Sequence, residues 1–320
     1  MTRGRRLFHG LVLLTLSATG ILVFAGAMVT STGSGLAVPD WPLSNGTLLP
    51  RMVGGVFYEH GHRLIAGAVA LLTTLLVVLA RRSEPRAPVR RLTAAALGLV
   101  LLQATLGGLT VLLLLPTAVS VAHAGMANLF FAGLVLMWRL TSSAHVQNVP
   151  VLPAPRSLRR GWLLLAAFLY GQMLLGALMR HSGAGLAIPD FPLAFGRLLP
   201  PLESWPVIIH FSHRLGALLV LAVSIPVLAA SMRASQRCSR LLAPTASLAL
   251  VLPLQVTLGA LTIWTGKAPV LASLHVLGGT LSLGASVWGA VEARRGWQST
   301  GAPTAAGLRR SRPLPSGSGA

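Results

Sequence analysis

Of the nine histidines in this chain, four stand inside long apolar runs: His62, His123, His213 and His275. An ionisable side chain inside an apolar span is costly and usually functional. Imidazole is a good ligand for iron. Two imidazoles at one depth on neighbouring helices reach opposite faces of one flat ligand, the geometry of a bis-histidine heme in a four-helix bundle. The expected pairs are His62 with His123 and His213 with His275. Zinc would call for further nitrogen, sulfur or carboxylate ligands. The only cysteine, Cys238, lies in a basic stretch, so neither a disulfide nor a sulfur-based cluster is expected.

Other polar residues flank these histidines. Glu59 precedes His62 by three positions and shares its helix face. It could accept protons during oxidation of a bound group or orient the ligand, or serve as a helix-start acid favoured by the dipole. Arg63 and Arg214 each directly follow a histidine. Their planar forks suit the propionates of a heme, and arginines snorkelling to headgroups would look the same in sequence. His60 and His181 near one membrane face, and His9 and His145 near the other, are read as interfacial and non-ligating. Asp40 and Asp190 are read as turn formers. Gly107, Gly108 and Gly259 are read as close-packing points.

The elements that must position these residues are membrane spans. Hydrophobic residues make up 53% of the 320, and charged ones 10%; the mean hydropathy is +0.72. This excludes an ordinary soluble domain. Apolar runs near 8–31, 55–80, 92–115, 117–138, 161–180, 206–230, 241–265 and 269–291 predict eight helices. The first follows Arg3, Arg5 and Arg6 like a signal peptide, but is long enough to span and is read as retained. The net charge of +20 sits in arginine clusters between spans, which fits cytoplasmic anchoring and not nucleic-acid binding. Clusters at Arg81–Arg91, Arg156–Arg160 and Arg233–Arg240 alternate with nearly uncharged loops. The chain is therefore expected in the cell inner (plasma) membrane with both termini cytoplasmic. The tail over 296–320 is expected to be disordered.

The chain repeats itself. Residues 33–43 (GSGLAVPDWPL) answer 183–193 (GAGLAIPDFPL), 59–63 (EHGHR) answer 210–214 (HFSHR), and 103–110 (QATLGGLT) answer 255–262 (QVTLGALT). The offset runs only from 150 to 152, and His123 and His275 share the last value. Two tandem pseudo-symmetric four-helix bundles are predicted, 1–145 and 146–295, both entering the membrane in the same direction. Each histidine lies six or seven residues into an even-numbered helix, so at about 1.5 Å per residue all four sit roughly 10 Å below the outer boundary. His210 stands where the first half has Glu59, so the halves are chemically unequal.

The text TGSGLAVPDWPLSNG, an E-x-x-H-R start to helix 2, a second H-R and single histidines on helices 4 and 8 together resemble the COX15/CtaA family of heme A synthases. The resemblance spans about residues 10–292. It implies oxidation of the ring-D (C8) methyl of heme O to a formyl group by successive hydroxylations, for cytochrome oxidase assembly. It implies that His213 and His275 ligate a heme b cofactor (iron), and that His62 and His123 hold heme O with Glu59 as the catalytic acid. It further implies heme O as substrate, the heme O synthase as a candidate partner and an electron acceptor that no residue identifies. Many relatives carry two cysteines where this chain has Val38 and Ser44, so no thiol step is expected. The alternatives weighed are a di-heme b-type electron-transfer cytochrome and a transporter with parallel repeats. Two hemes at one depth fit poorly with transfer across a membrane, and transporter sites sit nearer the midplane.

Overall fold

The computed structural model describes residues 2–142, 154–236 and 238–295. His145, Arg237 and the tail over 296–320 lie outside the described residues. Eight helices run in order: α1 Arg3–Ser31, α2 Gly55–Ser83, α3 Ala87–Leu112, α4 Thr117–Thr141, α5 Arg156–His181, α6 Trp205–Ser235, α7 Leu242–Trp264 and α8 Pro269–Arg295. All eight spans are long and apolar enough to cross a membrane, as the sequence predicts. The chain is an all-α multi-pass membrane protein.

All the helices but α7 overrun their apolar runs at one end at least, and a helix of 25 or more residues is longer than the roughly 30 Å hydrocarbon core. Several arginines expected in loops are therefore helical. Arg3, Arg5 and Arg6 open α1, while Arg81 and Arg82 fill the last turn of α2, where a cation meets the negative end of the dipole. At the opposite end, α1 and α5 stop at Gly33 and Gly183, whose φ of 68° and 76° lie in the left-handed region that glycine tolerates. Proline opens α3 and α6 within their first turns, where its missing N–H costs nothing.

Each set of four helices closes into a ring. In the first half α1 packs on α2, α2 on α3, α3 on α4 and α4 back on α1; α5 to α8 repeat the circuit. The even-numbered histidine helices of each half therefore face one another across a ring, not as direct neighbours. Each ring has its own apolar core, one around Phe8, Leu76 and Leu134, the other around Trp162, Leu165 and Leu248.

The two rings meet along α1, α4, α5 and α8, with α1 on α8, α4 on α5 and α4 on α8. Thr280 Oγ1 donates to Asn128 Oδ1 at 2.8 Å. These two positions are each other's counterparts in the repeat, at the offset of 152, so the pseudo-twofold axis passes between them. Near the arginine-rich end, Arg139 Nε donates to Glu292 Oε1 at 2.8 Å. Its guanidinium also lies over the rings of Trp138 and Trp288, which spreads the cost of a charge held between helices. Apolar side chains gain little by leaving lipid for protein, so polar pairs and close packing must hold such a seam. Thr280→Val should cost about 1 kcal/mol of stability by unpairing Asn128 Oδ1. Thermal unfolding in detergent measures it, and an unchanged midpoint would show that the seam does not depend on this bond.

Candidate functional site

The four histidines project from α2, α4, α6 and α8, and each ring rests against a glycine on the preceding helix. A methyl group on Gly26 of α1 would come within 2.8 Å of His62 Cε1, and one on Gly176 of α5 within 2.9 Å of His213 Cε1. Gly107 of α3 and Gly259 of α7 stand at 3.3 Å from His123 and His275 in the same sense. These glycines are needed for space, since none adopts a positive φ. In all four seats Cε1, the carbon between the two ring nitrogens, is the atom nearest the glycine.

In the second half the His213 and His275 rings lie with centroids 6.4 Å apart and planes at 77°. A metal–imidazole bond of about 2 Å plus about 1.2 Å from nitrogen to ring centre, taken on both sides, gives about 6.4 Å. The pair thus fits two axial ligands on one iron. His275 Nδ1 lies 3.1 Å from the Gln255 carbonyl. A carbonyl only accepts, so Nδ1 carries the proton and the Nε2 lone pair is left for a metal. His213 Nδ1 lies 3.1 Å from the side-chain amide of Gln172, which also donates to the His213 carbonyl at 2.7 Å. Gly216 and Gly278 make room for the Gln172 and Gln255 amides.

The first half supports its rings less closely. His62 Nδ1 and His123 Nδ1 make no hydrogen bond of good geometry, although the Leu22 and Gln103 backbones stand beside the rings. Leu22 stands where the second half has Gln172, and Ile65 and Met126 replace Gly216 and Gly278. Among the described residues, no three His, Cys, Asp or Glu side chains gather to hold a bare metal ion. The histidines converge in twos.

Above each ring of helices a loop is clamped down, residues 32–54 in one half and 182–204 in the other. Asp40 accepts from the amides of Asn45 and Gly46 at 2.7 and 2.8 Å, and Asp190 from those of Phe195 and Gly196 at the same distances. These are turn formers, as the sequence suggests. The Gly46 and Gly196 amides in particular hold the two carboxyls below the usual carboxylate range, which favours the ionised, turn-closing form. Arg63 donates to the carbonyls of Val38, Asp40 and Leu43 at 2.7 to 3.1 Å. Arg214 does the same to Ile188, Asp190 and Leu193 at 2.7 to 3.2 Å. Both arginines therefore have a loop-holding role that neither propionate pairing nor snorkelling describes. Arg214 Nε is left buried without a partner.

Glu59 is 4% exposed. One carboxylate oxygen accepts from the Val38 amide at 2.8 Å and the other from Arg63 at 2.6 Å. In the second half the Ile188 amide donates instead to His210 Nδ1 at 3.2 Å. The same backbone donor thus meets an acid in one half and an imidazole in the other. His60, expected at the interface, is buried. Its Nδ1 lies 2.8 Å from Ser44 Oγ. The counterparts of this polar pair are Phe211 and Ala194, which join an apolar cluster with Ile188 and Val207.

The sequence pairs His213 with His275, whose rings the structure places 6.4 Å apart, but gives no sign of the roles of Gly26, Gly176 and Gln172. The two glycines do share the offset of 150 that defines the repeat at the loops. Gln172 shows only as a departure from the repeat, where symmetry would give leucine.

The chain matches the family model COX15-CtaA, described as cytochrome oxidase assembly protein, over residues 53–287. It is 32% identical over 236 residues to a heme A synthase of Symbiobacterium thermophilum, covering 70% of this chain and 76% of that one. A heme A synthase of Halalkalibacterium halodurans is 30% identical over 224 residues, covering 68% and 75%. One from Bacillus cereus is 32% identical over 207 residues, covering 62% and 65%. With its eight spans, its duplicated histidine pairs and this match over most of its length, the chain belongs to the COX15-CtaA family of cytochrome oxidase assembly proteins.

Proposed function

We propose that this chain is a heme A synthase, converting the ring-D methyl of heme O to a formyl group by successive hydroxylations. The observation that carries the reading is that the Gln172 side chain braces His213 where the first half has Leu22 beside His62. A resident cofactor calls for ligands whose rings are held by hydrogen bonds to their second nitrogens. In the second half His275 has that bond to the Gln255 carbonyl and the Gln172 side chain braces His213, and we assign it heme b. A substrate must come and go, which suits ligands held less closely. We assign heme O to His62 and His123. When bound, heme b supplies the redox chemistry. The protein's own residues hold the rings, close the loops over the site and provide the acid.

Glu59 is the candidate catalytic acid. It stands on α2 within a turn of His62, where a carboxylate can take up protons released as a methyl group is oxidised. The Val38 amide and Arg63 fix its two oxygens, so it is positioned before substrate arrives. Arg63 and Arg214 are proposed to assist propionate binding through the loop they hold, Arg214 through its unpaired Nε as well. The arginine clusters support a cell-membrane location with both termini cytoplasmic. The heme O synthase is the proposed source of substrate.

Chromatography of hemes extracted from cells making heme O, with and without the chain, tests the activity. Heme A or its hydroxylated intermediate is expected, and heme O left untouched would sink the reading. Glu59→His separates catalysis from loop anchoring, because it installs the acceptor that the second half uses on the same amide. Heme b content is expected to persist while heme A formation falls at least about 10-fold, in the range typical of losing an acid or base. Full activity in this variant would reduce Glu59 to a loop anchor. Gly176→Val and Gly26→Val test the assignment of halves. The first is expected to abolish the bis-histidine heme b spectrum, and the second to leave it intact while heme A formation is lost. The reverse pattern would exchange the two assignments.

A further inference from the structure

Arg180 lies in the last turn of α5 and has no acid to pair with. The chain has six acidic side chains. Glu59, Glu84 and Glu292 are bound to Arg63, Arg86 and Arg139. Asp40 and Asp190 close their turns, and Glu203 lies in an exposed loop segment. An arginine at a helix end facing lipid would extend to the headgroups. Arg180 turns inward across the seam, where its NH2 group donates to Ala27 O at 2.6 Å and Ser31 Oγ at 2.7 Å on α1. Ser31 in turn lies 3.0 Å from Ser273 Oγ on α8.

Its place on the helix gives this geometry a direction. Gln172, Gly176 and Arg180 follow at intervals of four and so share one stripe of α5. Gln172 touches His213 Nδ1 and Gly176 backs the same ring. Arg180 stands one turn further toward the end where α5 finishes, about 6 Å along the axis. The first half has Thr30 at the matching position, its hydroxyl turned back to the Gly26 carbonyl.

We propose that Arg180 is an anion-binding residue of the second half, pairing with a carboxylate of the tetrapyrrole held between His213 and His275. The inference rests on the heme reading above and adds to it a second counter-charge beside that proposed for Arg214. Arg63 and Arg214 spend both terminal nitrogens on loop carbonyls, whereas Arg180 spends one, NH2, on α1 and stands on the stripe that supports the ligand ring. Because its NH2 group also holds the α1 backbone beside Gly26, the seat of His62, the same residue joins the two sites mechanically.

The test compares heme b with heme b dimethyl ester, which keeps the ring and the iron but has no carboxylate. Heme-free protein, made in a heme-deficient host and purified in detergent, is titrated with each and binding is followed by the Soret band. Wild-type protein should bind the diacid about 10- to 100-fold more tightly than the diester, as expected for a charge-assisted pair. In Arg180→Gln that ratio should fall at least about fivefold, and Arg180→Lys should recover part of it. A lipid phosphate as the true occupant would leave the ratio equal in wild type and Arg180→Gln, overturning the proposal. Should Arg180→Gln fail to fold, wild-type protein alone still decides against the idea if it does not distinguish the two ligands. Absence of any bis-histidine spectrum with either ligand would overturn the heme reading itself.

Discussion

Each proposed ligand ring in this protein is a polar plate pressed between helices, and its position depends on a side chain that is missing. Gly26, Gly107, Gly176 and Gly259 leave a recess into which the imidazole edge fits, close enough that a single methyl group would displace it. Lipid gives little apolar driving force for one helix to approach another, so van der Waals contact and polar pairing must set the spacing. The glycine seats do this at the depth of the histidines. They bring backbone and ring together with Cε1 edge-on to the supporting helix, and so limit how far each ring stands from the axis of its bundle. The 6.4 Å separation of His213 and His275 follows from two such seats facing one another.

The clamped loops depend on this arrangement in turn. Arg63 and Arg214 follow directly after His62 and His213, and so project about 100° further round the same helix. That angle carries their guanidinium groups away from the ring pair and up to the loop carbonyls. Three carbonyl acceptors per arginine satisfy backbone groups that would otherwise be unpaired near the membrane, where an unsatisfied carbonyl is expensive. Glu59 and His210 complete the anchorage through one backbone amide each. Loop closure and ligand placement therefore share two turns of a single helix.

Much of this was legible in the sequence. Runs of about 20 apolar residues leave few options but spanning helices, and the repeat offset singled out the four histidines as matched positions of two halves. The bounds of the helices were less legible, because arginine can extend a helix beyond the membrane as readily as it can start a loop. The roles of Arg63, Arg214 and His60 were not accessible. Sequence shows that an arginine follows a histidine, but not that three carbonyls of a loop some 20 residues away converge on it. His60 looked interfacial by position, but it is buried, with Ser44 of the distant loop on its Nδ1. Arg180 was hidden for a similar reason, since its acceptors lie about 150 residues earlier on α1.

Duplication supplies two sites of one geometry, and the chemistry proposed here arises where the duplication has been broken. The seam's contacts between α4 and α8, Asn128 with Thr280 and Arg139 with Glu292, lie beyond the histidine level, toward the arginine-rich end, while Arg180 with Ser31 and Ser31 with Ser273 cross it nearer the outer end. Four breaks cluster around the histidines: Leu22 against Gln172, Glu59 against His210, the Ser44–His60 pair against Ala194 and Phe211, and Thr30 against Arg180. They follow one logic. The second half gains groups that hold a ligand in place, an amide on the ring nitrogen and a cation nearby, while its loop packs against apolar side chains. The first half gives up those groups and gathers an acid, an imidazole and a hydroxyl under its loop. Tight holding and reactive polarity conflict within a single site, because bonds that fix a ligand also slow its exchange. Dividing them between two copies of one fold, joined across the seam by Arg180, removes that conflict.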